Sequence, residues 1–226
     1  MKILQLSGGL DSLACLLLLK DEPDLTVLSV LTDGAYESSI EYLFKLQAEF
    51  AGVKFVTFQT DRKLPEYGQP ADVVPLRWTA LGQLARGGQD IRYQDAFSCC
   101  NRAIWEPLDK ISRGLGATTI FRGQRNDDRL RSPMNDGDVD RGVTLRFPIA
   151  TWTRQQVLAF VERTAPHLMP LGYDDGEKTS RDCWDCTAYL GDNMQRIANL
   201  PPEQNKRLTG LIARWRDDIA TEMEQP

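Results

Sequence analysis

The chain has a single histidine, His167, among 226 residues. That scarcity argues against a mechanism built on a histidine general base, and His167, between Pro166 and Leu168, reads as a packing residue. Long apolar runs are also missing. The longest, around Leu13 to Leu19, is too short to span a bilayer, and no basic leader with an apolar core opens the sequence. These absences lead us to expect a cytoplasmic protein with no membrane partner. Internal repeats and low-complexity stretches are absent as well. The five cysteines, without a secretion signal, do not suggest a disulfide framework. A net charge of −5 gives no general attraction to nucleic acid, although a local basic patch leaves nucleic acid open as a partner.

What is present is an alternation of strand-like and helix-like segments. Lys2 to Leu6 reads as a buried strand, Ser12 to Lys20 as a helix, Leu25 to Leu31 as a β-branched strand, Ile40 to Ala51 as an amphipathic helix and Lys54 to Gln59 as a third strand. Asn101 to Leu115 carries Ile104, Leu108, Ile111 and Leu115 at helical spacing and stops at Gly116, and Thr118 to Phe121 follows as a short strand. This order predicts an α/β fold with a doubly wound, mainly parallel sheet and ligands at the carboxyl ends of its strands. Asp61 to Asp95, rich in Pro and Gly, reads as a long loop with one helix near Trp78 to Arg86, and Asn126 to Gly142 as a lid or edge. Pro201 to Met223 reads as a final helix with Leu208, Leu211, Ile212, Trp215 and Ile219 on one face, packed on the core or on a partner. We expect a nucleotide-binding domain over 1–150 and a cysteine-bearing, helical segment over 151–226. A homodimer is compatible with this reading.

Ser7-Gly8-Gly9-Leu10-Asp11-Ser12 lies between the first strand and the first helix. Two glycines in such a turn let the backbone approach a phosphate, and the helix start adds unpaired amides and the positive end of its dipole. Ser7 and Ser12 can donate hydroxyls, while Asp11 can cap the helix or hold magnesium. No Lys follows the glycines, so this is not a Walker-type loop. Arg122, Arg125, Arg129 and Arg131 follow the strand ending at Phe121, and planar guanidinium groups suit phosphate or sulfate. A solvated loop balanced by Asp127, Asp128, Asp136 and Asp138 accounts for Arg131, and Arg129 is open to the same reading.

The cysteines form a second constellation. Cys99 and Cys100 are adjacent, and Cys183-Trp184-Asp185-Cys186 begins 83 positions beyond Cys100. Four thiolates can hold zinc or an iron–sulfur cluster. Adjacent cysteines diverge on a regular helix, so both reach one centre only at a helix start or through local distortion; here Cys100 precedes an expected helix. Cys15, within the apolar first helix, reads as core.

The Ser-Gly-Gly-x-Asp-Ser stretch resembles the phosphate loop of the ATP pyrophosphatase (PP-loop) superfamily, which implies an adenine nucleotide α-hydrolase-like fold, ATP and Mg²⁺ as cofactors, and substrate adenylylation with release of pyrophosphate. Within that superfamily, Cys99-Cys100 with Pro107-Leu108, the Cys183–Cys186 segment with Gly191-Asp192, Arg122 to Arg129, and Phe147-Pro148-Ile149 leading to Trp152 are similar to segments of the adenylylsulfate and phosphoadenylylsulfate reductases. By this resemblance Cys99, Cys100, Cys183 and Cys186 bind one [4Fe–4S] cluster, Arg122 and Arg125 face the transferred group, and Asp33-Gly34 joins Ser7, Gly8, Gly9, Asp11 and Ser12 at the nucleotide. The cysteine arrangement also resembles that of the DNA-phosphorothioation ATPase. Three departures stand out. No cysteine follows Cys186, where the reductases carry their nucleophile; the phosphate loop is complete, where theirs is degraded; and nine residues separate Tyr173 from Cys183, a longer gap than expected. The expected activity is therefore ATP-dependent adenylylation serving sulfur transfer, with a sulfur or electron donor as partner. A sulfonucleotide reductase lacking its own nucleophile and a non-catalytic nucleotide-binding iron–sulfur subunit are the alternatives.

Overall fold

The apolar run after Met1 becomes the centre of a sheet because it can be buried on both faces. Strand β1 (Lys2–Gln5) lies between β2 (Leu25–Thr32) and β6 (Thr119–Arg122), parallel to both, with Leu4 opposite Val27 on one side and Phe121 on the other. Alternate residues serve opposite layers: Leu4 joins the core over one face and Ile3 the core over the other. The computed structural model describes residues 1–87, 90–128, 131–170 and 183–224.

Strand β3 (Lys54–Thr60) flanks β2, while β8 (Val143–Arg146) and β7 (Val139–Asp140) extend the sheet beyond β6, giving the order β3-β2-β1-β6-β8-β7. Among the described residues, only the β7–β8 pair is antiparallel. Helices α1 (Leu10–Leu19) and α2 (Glu37–Glu49) cover one face, joined by α7 (Arg154–Thr164), whose Val157 and Val161 enter the same core. A capping box between Thr153 and Gln156 starts α7. The other face receives α6 (Glu106–Gly114) through Leu108. The chain direction across the sheet reverses at β1 and β6, so the crevice between their carboxyl ends is the topological switch point.

Two expectations need correction. Asp61 to Asp95 is more than a loop with one helix: α3 (Leu64–Tyr67), β4 (Gln69–Ala71), α4 (Ala80–Arg86) and β5 (Tyr93–Asp95) occur in it, β4 and β5 pairing in a small parallel sheet. Pro70 hid β4, since proline within a strand is tolerated only at an edge. The helix expected at Asn101 begins earlier, as α5 (Ala96–Cys100), and runs through a π-helical turn (Asn101–Trp105) into α6. At the carboxyl end, α8 (Leu190–Ala198) precedes α9 (Pro202–Met223), which docks on the 69–93 region: Tyr93 donates to Asp218 at 2.8 Å, and Trp215 Nε1 to the Val73 carbonyl at 2.7 Å. Among the described residues, no helix is long and apolar enough to cross a membrane.

Candidate functional site

The phosphate-type loop occupies the switch point. Gly8 has φ +80°, a left-handed conformation that glycine enters without strain, and extended Gly9 stands at the helix cap with its carbonyl accepting from Leu13 at 3.0 Å. Ser12 Oγ donates to the Gly9 carbonyl at 2.9 Å and lies 3.2 Å from Ser7 Oγ, so the two hydroxyls brace the turn from both ends. The opening turn of a helix leaves its amides without intrahelical acceptors, and here those amides lie beside the two hydroxyls.

Asp11 and Arg125 form the charged rim of this loop. Arg125 Nε is 3.3 Å from Asp11 Oδ1, and the same guanidinium pairs with Asp127 at 3.2 Å and Asp128 at 2.7 Å. Burial pushes the Asp11 carboxyl above the usual range, and Arg125 offsets this only in part. Burial also opposes the charge on Arg125, but Asp11, Asp128 and Asp127 outweigh it and raise its pKa. Gly123, which the sequence reading passed over, makes this approach feasible: a Cβ there would stand 2.7 Å from the Asp11 carbonyl carbon and the Ser12 amide nitrogen. Arg122 takes a different position. It donates to Gln5 Oε1 at 2.8 Å and lies 4.0 Å from Asp109 of α6, on the sheet face opposite the packing side of Phe121. Burial lowers its pKa. Arg129 lies outside the described residues; Arg131 is exposed.

Beside the loop opens a shallow cleft lined by Leu6, Val30, Leu31, Ala35 and Ile104 together with the hydroxyl-bearing Ser7, Thr32 and Ser39. Apolar walls with a few polar groups at the rim suit a flat heterocycle.

Asp33 and Gly34, at the end of β2, are engaged with the second cysteine segment. Asp33 accepts from Arg62 Nε at 2.7 Å and from the Arg62 amide at 3.1 Å, and Arg62 reaches on to Asp185, between Cys183 and Cys186, at 2.6 Å. Burial would raise the Asp33 pKa, but the Arg62 hydrogen bonds hold it below the usual carboxylate range. Burial likewise disfavours the Arg62 charge, and Asp185 and Asp33 more than restore it. The Gly34 carbonyl accepts from the Trp184 amide at 2.9 Å, and Thr32 Oγ1 lies 3.1 Å from Cys183 Sγ. From the far side Arg196 gathers the carbonyls of Trp184 at 2.8 Å, Cys186 at 3.1 Å and Cys183 at 3.3 Å. Arg62 and Arg196 were missed in the sequence. The one available signal was that Arg62 follows β3 at the sheet edge where ligands bind.

Cys99 and Cys186 lie close enough to influence each other, and Cys100 and Cys186 both act on Tyr189. Burial pushes the Cys99 thiol up to about 11, Arg62 pulling it back and Cys186 adding to it. Burial raises the Tyr189 phenol to about 12, with Cys100 and Cys186 contributing. Tyr189 is itself left-handed at φ +56°, held by Asp72, which accepts its amide at 2.5 Å and that of Leu190 at 2.9 Å. Cys99 and Cys100 sit at the end of a helix rather than before one, and a π-helical turn follows them. Among the described residues, no three His, Cys, Asp or Glu side chains converge as ligands of a single metal ion. A cubane cluster asks less, since each thiolate binds a different iron. The donor set, four soft sulfurs from two segments, has the chemistry of such a cluster. The long gap before Cys183 falls largely outside the described residues. Cys15 is buried core, its thiol 3.8 Å from the Arg122 carbonyl and its pKa raised by burial.

A glycine loop opening a helix at the switch point of a mainly parallel sheet is the arrangement of nucleotide-binding α/β folds. The chain belongs to the phosphoadenosine phosphosulfate reductase domain family, whose model matches residues 2–189. Among solved structures it is similar to phosphoadenylyl-sulfate reductase from Candida auris in a phosphate complex, with 16% identity, a TM-score of 0.53 and 80% of each chain covered. It is also similar to an NH3-dependent NAD synthetase from Campylobacter jejuni, with 15% identity, a TM-score of 0.47 and coverage of 100% of this chain and 87% of that one. No curated protein matches by sequence. At 16% identity the reductase structure establishes the fold alone, and the family points to an enzyme of the PP-loop, sulfonucleotide-reductase class.

Proposed function

We propose that the protein is an ATP-dependent enzyme that adenylylates an oxygen of its substrate, releases pyrophosphate and so prepares that position for sulfur transfer. The observation that carries this reading is the complete loop: Gly8 at φ +80°, the braced Ser7–Ser12 hydroxyls and the start of α1 together form a cradle for a pyrophosphate. In this reading the adenine and ribose lie over the adjoining cleft, near Asp33 and Gly34, which follow Thr32 of its lining.

In this mechanism the loop amides and the Ser7 and Ser12 hydroxyls bind the β- and γ-phosphates and take up the charge that develops as the bond to the α-phosphorus breaks. Arg125, anchored by three aspartates, lends positive charge at the same mouth. Asp11 fits a role in holding Mg²⁺, because its buried Oδ1 accepts no hydrogen bond. Magnesium there would neutralise the departing pyrophosphate. A [4Fe–4S] cluster on Cys99, Cys100, Cys183 and Cys186 would supply a site to hold or deliver sulfur. Arg122 retains a proposed part in facing the transferred group from the end of β6.

The family match favours one second reading, a sulfonucleotide reductase. Within these 226 residues no cysteine follows Cys186 to act as its nucleophile, so that activity would need a thiol from a donor protein. Incubating the protein with ATP and radiolabelled sulfide, and separately with adenylylsulfate and a thiol donor, tests the two. Pyrophosphate from the first supports adenylylation; sulfite from the second alone reverses the ranking.

A further inference from the structure

We propose that Arg62 is a positioning residue that clasps the cysteine-bearing turn to the nucleotide edge of the sheet, so that a ligand at that edge changes how tightly the turn is held. This rests on the nucleotide reading of the edge. One guanidinium, 3% exposed, is divided between two carboxylates. Toward β2, its Nε is 2.7 Å from Asp33 Oδ1 and its Nη2 3.3 Å from Oδ2; toward the turn, Nη1 is 2.6 Å from Asp185 Oδ1 and Nη2 3.1 Å from Oδ2. A planar fork can engage two carboxylates at once, whereas an ammonium is a point charge. Gly34 is part of the clasp, since a Cβ there would collide with both the Arg62 guanidinium and the Asp185 carboxylate.

The two halves differ in exposure. Asp185 is 7% exposed and depends on Arg62 for charge compensation, whereas Asp33 is 40% exposed, one residue beyond Thr32 of the cleft wall. A nucleotide hydroxyl or its metal ion engaging Asp33 would compete with Arg62 for the same oxygens. Arg62 would then turn more fully to Asp185 and tighten Cys183–Cys186 from one side, while Arg196 holds the other. Because Arg196 remains, loosening Arg62 leaves the turn attached.

Hydrogen–deuterium exchange of the peptide carrying Trp184, whose amide donates to Gly34, reports the clasp in the full chain. ATP binding is measured first by calorimetry. In the wild type, ATP with Mg²⁺ should slow exchange at that peptide by about fivefold or more, the lower end of ordinary site coupling. Arg62→Lys should still bind ATP, exchange faster without ligand and show no ATP response; Asp185→Asn, which keeps a hydrogen-bond acceptor, should behave alike should the lysine variant not fold. ATP binding by the wild type with unchanged exchange overturns the clasp alone, as does a full ATP response in either variant. No ATP binding by the wild type overturns the nucleotide reading and the coupling with it.

Discussion

Asp11 Oδ1 and Arg125 Nε face each other across 3.3 Å at the mouth of the phosphate-type loop, both buried and neither making a hydrogen bond through that atom. A charged pair in contact but without good hydrogen-bond geometry is poised for a third partner. The Asp11 carboxyl is raised by burial, so protonation favours the folded state. Its contribution is present below the unfolded value of 3.8 and is lost as pH rises through the higher folded value. At neutral pH the ionised side chain therefore costs stability. Asp11→Asn should raise the melting temperature at pH 7 and weaken ATP–magnesium binding, and Ser12→Ala should weaken it without the gain. Loss of one charge-assisted contact is worth about 1.5–3 kcal/mol. Calorimetric titration and thermal scans of the two variants check this, and unchanged affinity in both would remove the loop from the binding site.

Gly123→Ala places a methyl group 2.7 Å from the backbone of Asp11 and Ser12. The crowded atoms are main chain and cannot rotate away, so the start of α1 must move. Overpacking of this kind costs about 1–3 kcal/mol. Affinity for ATP should fall while the far-ultraviolet spectrum stays native. Wild-type affinity in the variant would show that the loop tolerates the displacement.

The first strand, loop and helix were legible because burial on both faces, two glycines and an apolar helix all write themselves into contiguous residues. The Arg62 clasp was not: Asp33 and Asp185 lie 29 and 123 positions from it, and no local period signals a pairing made only by topology. Strand β8 was overlooked because Val143–Arg146 offers four residues after a polar turn, too short for alternation to stand out. The π-helical turn escaped because Ile104, Leu108 and Ile111 keep a spacing that an ordinary helix would also show. The spacing of Cys99, Cys100, Cys183 and Cys186 marked them as candidate ligands, while Tyr189 and Arg196, which lie beside the second segment, carried no such mark.

The cysteine reading makes a compositional prediction. Protein purified without oxygen should be brown and hold roughly four irons per chain, one per thiolate. Cys100→Ser and Cys186→Ser should each bleach it and lower stability, because two distant segments lose a common tie. Iron and zinc analysis with visible absorbance decides between metals; stoichiometric zinc in place of iron would overturn the cluster.

Acid should loosen the β2 edge before the rest of the sheet. Asp33 is held below the usual carboxylate range by Arg62, so its stabilisation is present above the unfolded value of 3.8 and is lost as pH falls through the lower folded value. Asp109, lowered by Arg113 against the effect of burial, behaves the same way beneath β6. Exchange at the Arg62 amide, which donates to Asp33 Oδ1, should therefore rise below about pH 4. In Asp33→Asn that rise should be flattened, and an unaltered acid profile would show that another group controls the edge.

The two arginines beyond β6 should separate binding from chemistry. Arg125 touches Asp11 at the loop, whereas Arg122 is tied to Gln5 and stands near Asp109 on the opposite face. A group that meets the departing charge is felt most in the transition state, so Arg125→Ala should lower pyrophosphate release more than ATP affinity. Arg122→Met removes a part-buried hydrogen bond to Gln5 and should lower the melting temperature as well, by the equivalent of about 0.5–1.5 kcal/mol. Steady-state kinetics with ATP and the acceptor, alongside thermal scans, distinguish the two patterns. Equal losses of turnover with no change in stability would mean that both guanidinium groups reach the transferred phosphorus. Sulfite from adenylylsulfate, with no pyrophosphate from ATP under any acceptor, would instead assign both to sulfonucleotide reduction.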